Sequence, residues 1–132
     1  MKYIIIPILV AIISQSIKVI IEFCKYKRIT FSRFIDGMGG MPSTHSALVS
    51  SLSTIVYIDY GLCAMSAVTF IFSLIIMYDS MGIRYESGKQ AEIINDIAGT
   101  NLEEKIGHSP IEVLIGSILG ILSTVIISLI LK

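Results

Sequence analysis

The chain has 132 residues, a length suited to one domain spanning 1–132. Hydrophobic residues make up 54% and charged residues 15%, with a mean hydropathy of +0.82; a water-soluble domain of this size carries about 25% charge and cannot hide so much apolar side chain. Lipid is therefore the expected solvent, and a net charge of zero argues against a nucleic-acid partner.

The first apolar run extends from about Tyr3 to Phe23. Lys2 and the small-residue site Ser14-Gln15-Ser16 give it a passing likeness to a secretion signal. The charged lead-in is a single Lys, however, and apolar character resumes from Ile17, so a retained membrane helix is expected. Lys18 and Glu22 lie inside it at i, i+4. Ionisable residues in a membrane helix are either functional or paired, and the expectation here is a local ion pair with Lys18 partly snorkelling. A polar segment follows from Lys25 to Thr44, with Gly37, Gly39, Gly40 and Pro42.

Two shorter apolar runs, about Ser46 to Tyr57 and about Leu62 to Met77, are separated by Ile58, Asp59, Tyr60 and Gly61. They read as a tight helical hairpin, with a pair of re-entrant helices as the alternative. A second polar segment, Asp79 to Pro110, contains a helical stretch from Glu86 to Ala98. The last apolar run, about Ile111 to Leu131, has the roughly 20 residues that a span needs. The expected architecture is an all-α, polytopic membrane bundle of about four transmembrane helices plus a short loop helix. Cys24 and Cys63 both lie in or beside apolar runs and read as packing residues.

Four spans put both polar segments on one side. Those segments hold Lys25, Lys27, Arg28, Arg33, Arg84, Lys89 and Lys105, whereas the other side holds Lys2 and Lys132. The positive-inside rule then predicts a multi-pass protein of the cell membrane with both polar loops in the cytoplasm.

Each histidine of the chain introduces an apolar run. One lies in Gly39-Gly40-Met41-Pro42-Ser43-Thr44-His45-Ser46, the other in Gly107-His108-Ser109-Pro110-Ile111-Glu112. Ser43, Thr44 and Ser109 are N-cap types, and proline suits a first helical turn. A helix N-terminus offers free N–H groups and the positive end of a dipole, so two such termini on one side make an anion site. Histidine transfers protons near neutral pH and can act as a nucleophile. Glu112 follows His108 by four residues, on the same helix face, and can fix the imidazole tautomer. Arg84, Lys89, Lys27 and Arg33 flank these clusters and are candidates for phosphate oxygens, or else headgroup anchors. Asp79, at the end of the third run, could orient Arg84 or simply end the helix.

Pro42-Ser43-Thr44-His45 resembles the Pro-Ser-x-His signature of the type-2 phosphatidic acid phosphatase and vanadium haloperoxidase superfamily. His108 with Glu112 resembles its last motif, a histidine with an acidic residue four positions on. The runs Gly39 to Val49, Met77 to Asp79 with Gly82 to Arg84, Gly88 to Glu92, and Gly107 to Val113 resemble more closely a small divergent membrane branch, the acid phosphatase/vanadium haloperoxidase-related proteins. The resemblance implies that His108 attacks phosphorus to form a phosphohistidine, that Glu112 holds its imidazole, and that His45 protonates the leaving alcohol. Ser43, Thr44 and nearby N–H groups would hold phosphate oxygens, with no metal or other cofactor needed. Three positions depart from the pattern: Glu112 replaces the usual Asp, Leu102 stands where the last motif has Arg, and Lys27 with Arg33-Phe34 only loosely matches a first motif of Lys and Arg-Pro. The superfamily's larger helical core also makes a homodimer a reasonable expectation here.

The function expected is thus hydrolysis of a phosphate monoester or pyrophosphate of a membrane lipid or isoprenoid. Alternatives are an anionic-lipid-binding protein with an eroded site, a small transporter subunit using Lys18 and Glu22, and metal-dependent hydrolysis through Asp79, Glu86 and Glu112.

Overall fold

A computed structural model describes residues 1–26, 40–104 and 107–131. These form α1 (Lys2–Tyr26), α2 (Thr44–Tyr60), α3 (Ala64–Met81), α4 (Ile83–Ala98) and α5 (Pro110–Ile130), with no strand among the described residues. The expected boundaries hold to within a few residues. The loop helix starts earlier than its charge pattern suggests, because α4 follows α3 directly after Gly82.

α2 is the centre of the bundle, and its neighbours fix its direction. At its start, Thr44 Oγ1 donates to Gln15 Oε1 of α1 at 2.9 Å. At its end, Asp59 pairs with Lys2 at 2.8 Å and Tyr60 stacks on Tyr3 with ring centroids 5.8 Å apart. α1 and α2 are therefore antiparallel. α3 returns antiparallel on another side, where Ser73 Oγ donates to the Val49 carbonyl at 2.9 Å. The turn between them uses Gly61 at φ 63°, in the left-handed region that favours glycine, and its N–H closes α2 on the Tyr57 carbonyl.

α5 runs parallel to α2 in a four-residue register. Gly116 lies against the backbone of Ser43, Gly120 against that of Ala47, and Thr124 Oγ1 donates to Ser51 Oγ at 2.6 Å. A Cβ at either glycine would collide with a backbone carbonyl of α2. Lipid gives helices no hydrophobic drive to associate, so close backbone approach through small residues and interhelical hydroxyls has to do so. The interior accordingly carries buried Ser14, Ser46, Ser50, Ser51, Ser73 and Thr124 beside Ile6, Val10, Ala47 and Ile55. The outside is apolar: Ile4, Ile8, Ile12, Phe70, Ile71, Ile118, Leu122 and Ile126 are all exposed.

Among the described helices, α1, α5 and the run Ala64–Ala98 that begins with α3 are long and apolar enough to cross a membrane. α2, expected as the second of four spans, has 17 residues and a serine-rich sequence. Its position explains the composition: covered by α1, α3 and α5, it needs little lipid-compatible surface.

Two expectations require correction. Lys18 does not snorkel, since it is only 2% exposed; its side chain turns inward beneath Gly40. Cys24 and Cys63 do not pack in the interior either. Both are free thiols exposed at opposite ends of the bundle, one near the end of α1 and the other at the N-cap of α3.

Candidate functional site

The register of α2 with α5 sets two helix N-termini side by side. Ser43 caps α2, its fully buried hydroxyl accepting from the Ser46 hydroxyl at 2.9 Å and, at 3.4 Å, from the Ser46 N–H. The Ser43 N–H donates across to the Glu112 carbonyl at 3.1 Å, an approach that Gly116 leaves room for. Ser109 caps α5 with Pro110 in the first turn, and Glu112 closes a capping box by accepting the Ser109 N–H at 3.0 Å. The same oxygen, Glu112 Oε2, lies 3.2 Å from His108 Nδ1. Nδ1 then carries the proton and Nε2 the lone pair, the tautomer a nucleophilic imidazole needs.

His108 is tied down from the other side as well. Its N–H donates to the Ser80 carbonyl at the end of α3, at 3.1 Å. Gly107 lies on the backbone of Arg84 and Tyr85, where any side chain would clash. The loop entering α5 is thereby pressed onto the start of α4. Farther back along that loop, Asn95 organises residues 100–104. Its amide accepts from Thr100 and from the Leu102 N–H, and donates to the Leu102 carbonyl and to Glu104, all within 2.7–2.9 Å.

Of the two histidines, His45 in the first turn of α2 is exposed and His108 is buried. They share one electrostatic field. The charges of Arg84 and Lys18 act on His45, and those of Lys18, Glu112 and His45 act on His108. Burial pushes the His108 imidazole below its ordinary range, Lys18 adds to that, and the hydrogen bond and charge of Glu112 oppose it.

The candidate cations separate. Arg84 donates through Nε to Asp79 Oδ2 at 2.6 Å, so Asp79 orients it. Lys89 pairs with the exposed Glu86 at 2.9 Å and covers the Tyr85 ring. Five helical residues turn through about 140° beyond a full turn, so α4 cannot present both cations to one point. Arg84 shares its face with the buried Gly88 and Ala91, and Lys89 does not. Lys27, Arg33 and Lys105 lie outside the described residues. The hydroxyls of Ser43 and Thr44 are engaged, one as a cap and the other with Gln15, which leaves N–H groups of the first α2 turn as the more available donors. Gln15 is the site neighbour that sequence reasoning missed, whereas Lys18, read from the sequence as functional or paired, is brought close to the α2 N-terminus; their signal is a polar i, i+3 pair in an otherwise apolar helix.

Asp79, Glu86 and Glu112, the carboxylates of the metal-dependent alternative, are divided among Arg84, Lys89 and His108. No group of three or more His, Cys, Asp or Glu among the described residues could hold a metal ion.

A groove of about 850 Å³ runs between α3 and α5. Leu74, Ile75, Tyr78, Val113 and Leu114 line it, and its upper end reaches Asp79 and Pro110, next to His108.

A protein of Bacillus subtilis (strain 168), "Uncharacterized membrane protein YuiD", is 36% identical over an alignment covering 89% of this chain and 87% of its own. No solved structure matches the chain. The model of the "Divergent PAP2 family" matches residues 1–123, which include both histidine clusters and every helix but the end of α5. This multi-pass helical membrane protein belongs to the Divergent PAP2 family.

Proposed function

We propose that the protein is a metal-independent phosphatase acting on a phosphate monoester or anhydride of a membrane lipid or isoprenoid. The observation that carries this reading is the pairing of His108 Nδ1 with Glu112 Oε2 at the junction of two helix N-termini. The N-termini and the cations Lys18 and Arg84 favour a phosphoryl group. His108 Nε2 attacks phosphorus, forming a P–N bond as the P–O bond to the lipid breaks. His45, protonated at the start, gives its proton to the leaving oxygen. Neutral His45 then takes a proton from water as that water attacks the phosphohistidine, releasing phosphate and restoring His108. Glu112 stabilises the charge that develops on the imidazole.

The apolar groove supports a lipid rather than a soluble ester. Its volume falls in the range of small-molecule sites, about 300–1,000 Å³, and it leads from the hydrocarbon region to the His108 loop. The loops carrying the site face the cytoplasm in this reading.

One observation favours a second reading, an anionic-lipid-binding protein without turnover: the His108 side chain is only 3% exposed. Phosphate release from a panel of phospholipid and prenyl phosphates, in chelator, separates the two. Turnover by the wild type that His108→Ala abolishes supports the phosphatase. Lipid binding without release, by well-folded protein, would rule it out.

A further inference from the structure

The chain stays helical beyond the point where α3 leaves the bilayer. α3 has 18 residues, about 27 Å of helix, close to the roughly 30 Å of a hydrocarbon core. The run that begins with it, Ala64–Ala98, has 35 residues, so its second half has to lie outside that core. Gly82 closes α3 and opens α4 with φ −97° and ψ −96°, away from helical values, which breaks the axis at the boundary. The first turn of α4 is held at this level. His108 donates its N–H to the Ser80 carbonyl at 3.1 Å, and Gly107 lies against the backbone of Arg84 and Tyr85. Among the described helices, α4 touches α3 alone.

At about 100° per residue, α4 has three faces roughly a third of a turn apart. Gly88 and Ala91 are buried. Lys89, Glu92 and Asp96 form an exposed polar face. The third face carries Ile93, Ile94 and Ile97, all exposed, Ile97 to 82%. Glu86 and Gln90 interrupt it in the earlier turns, with the Glu86 carboxylate drawn aside to Lys89 at 2.9 Å. Ile83, in the first turn, lies on the same side and also lines the groove between α3 and α5. The isoleucine face is thus continuous with the lipid-facing surface of the bundle. Such a patch is costly in water and ordinary in a helix that lies on a membrane. We propose that α4 is an interfacial helix, with Ile93, Ile94 and Ile97 among the upper acyl chains of the bilayer and Glu92 and Asp96 in water. Its polar face has two acids to one lysine, so attraction to anionic headgroups is not what holds it; the isoleucines set its depth. Because the His108 loop is tied to Ser80, Arg84 and Tyr85, that depth fixes the histidine site at headgroup level. The inference does not depend on whether the site turns over phosphate.

The chain contains no tryptophan, so a single introduced indole reports alone. Full-length Ile97→Trp, Ile94→Trp and Glu92→Trp are each reconstituted into phosphatidylcholine vesicles whose acyl chains are brominated near the glycerol end, with iodide as the aqueous quencher on both sides of the membrane. Ile97→Trp emits to the blue, loses its emission to the brominated lipid and is spared by iodide. Glu92→Trp does the reverse, which also shows that the affinity of indole for the interface has not rolled the helix over. Ile94→Trp gives the same reading as Ile97→Trp and replaces it if that variant does not fold. Exchanging part of the phosphatidylcholine for phosphatidylglycerol leaves the pattern unchanged. Equal iodide quenching of Ile97→Trp and Glu92→Trp would put the isoleucine face in water and overturn the proposal. Shielding of Ile97→Trp from both quenchers would mean that protein covers the face, from a second copy or another segment of this chain, and would overturn it as well.

Discussion

Glu112 serves two acceptor roles through one oxygen, receiving the Ser109 N–H that closes the α5 cap and the Nδ1 proton of His108. This explains why the residue is Glu where the superfamily pattern has Asp. A capping box asks for Glu or Gln at the third helical position, and the extra methylene lets the carboxylate reach back to the cap. Glu112→Gln keeps the amide oxygen for the cap and removes the charge that steadies the imidazolium. Phosphate release should fall roughly 10²- to 10⁴-fold, with little change in melting temperature; equal activity would show that the Glu112 charge plays no part in the reaction. The variant also moves the pH profile. Burial and Lys18 hold His108 below its ordinary value of about 6.5, and Glu112 partly counters them. The acid limb of kcat/KM should therefore lie below pH 6.5 in the wild type and lower still in Glu112→Gln. The same shift makes the fold lose stability as pH falls through about 6.5 towards the folded-state value, because the unfolded chain binds that proton first; above 6.5 this contribution is constant. A melting temperature indifferent to pH between 5 and 7, roughly the window of ordinary histidine, would contradict the burial of His108. His45, His108 and Glu112 could be read from the chain because their relations are local: an i, i+4 pair and a cap sequence. The contact of Gln15 with Thr44 could not, since the two are 29 positions apart and only the structure says which face of α1 meets α2.

At the level of elements, the site depends on how closely α5 approaches α2. Gly116 and Gly120 form a small-xxx-small stripe against the first turns of α2, and Ser43 reaches the Glu112 carbonyl through the gap. Gly116→Leu touches neither histidine. It should nonetheless lower stability by about 1–3 kcal/mol through overpacking and cut phosphate release at least as much as it cuts folded protein, because the two N-termini are levered apart. A detergent melt and turnover on the same preparation check this; wild-type values for both would mean that the helices are not in this register. The glycine spacing is visible in the sequence, and so is the angular separation of Arg84 from Lys89 on α4. What sequence could not supply is which helix each stripe meets, because every helix here is apolar enough to pack on any other.

For the whole molecule, sidedness follows from the way the short α2 crosses the membrane. Its neighbours indicate that it does: α2 keeps register with α5 from Ser43 to Thr124, and α1 meets it at both ends. The two cysteines report on this without any substitution. Cys24 lies towards the end of α1 and Cys63 in the turn after α2, both exposed. Hydrogen bonds from Ser66, first through its backbone, hold the Cys63 thiol below its usual range and favour the reactive thiolate. With both polar loops in the cytoplasm, a membrane-impermeant maleimide labels Cys63 on intact spheroplasts and reaches Cys24 only after permeabilisation. The reverse pattern would put the histidines outside and exclude substrates confined to the inner leaflet. Labelling of both thiols from one side would mean that α2 enters the bundle without crossing, and the parallel start of α2 and α5, from which the whole site is built, would have to be abandoned.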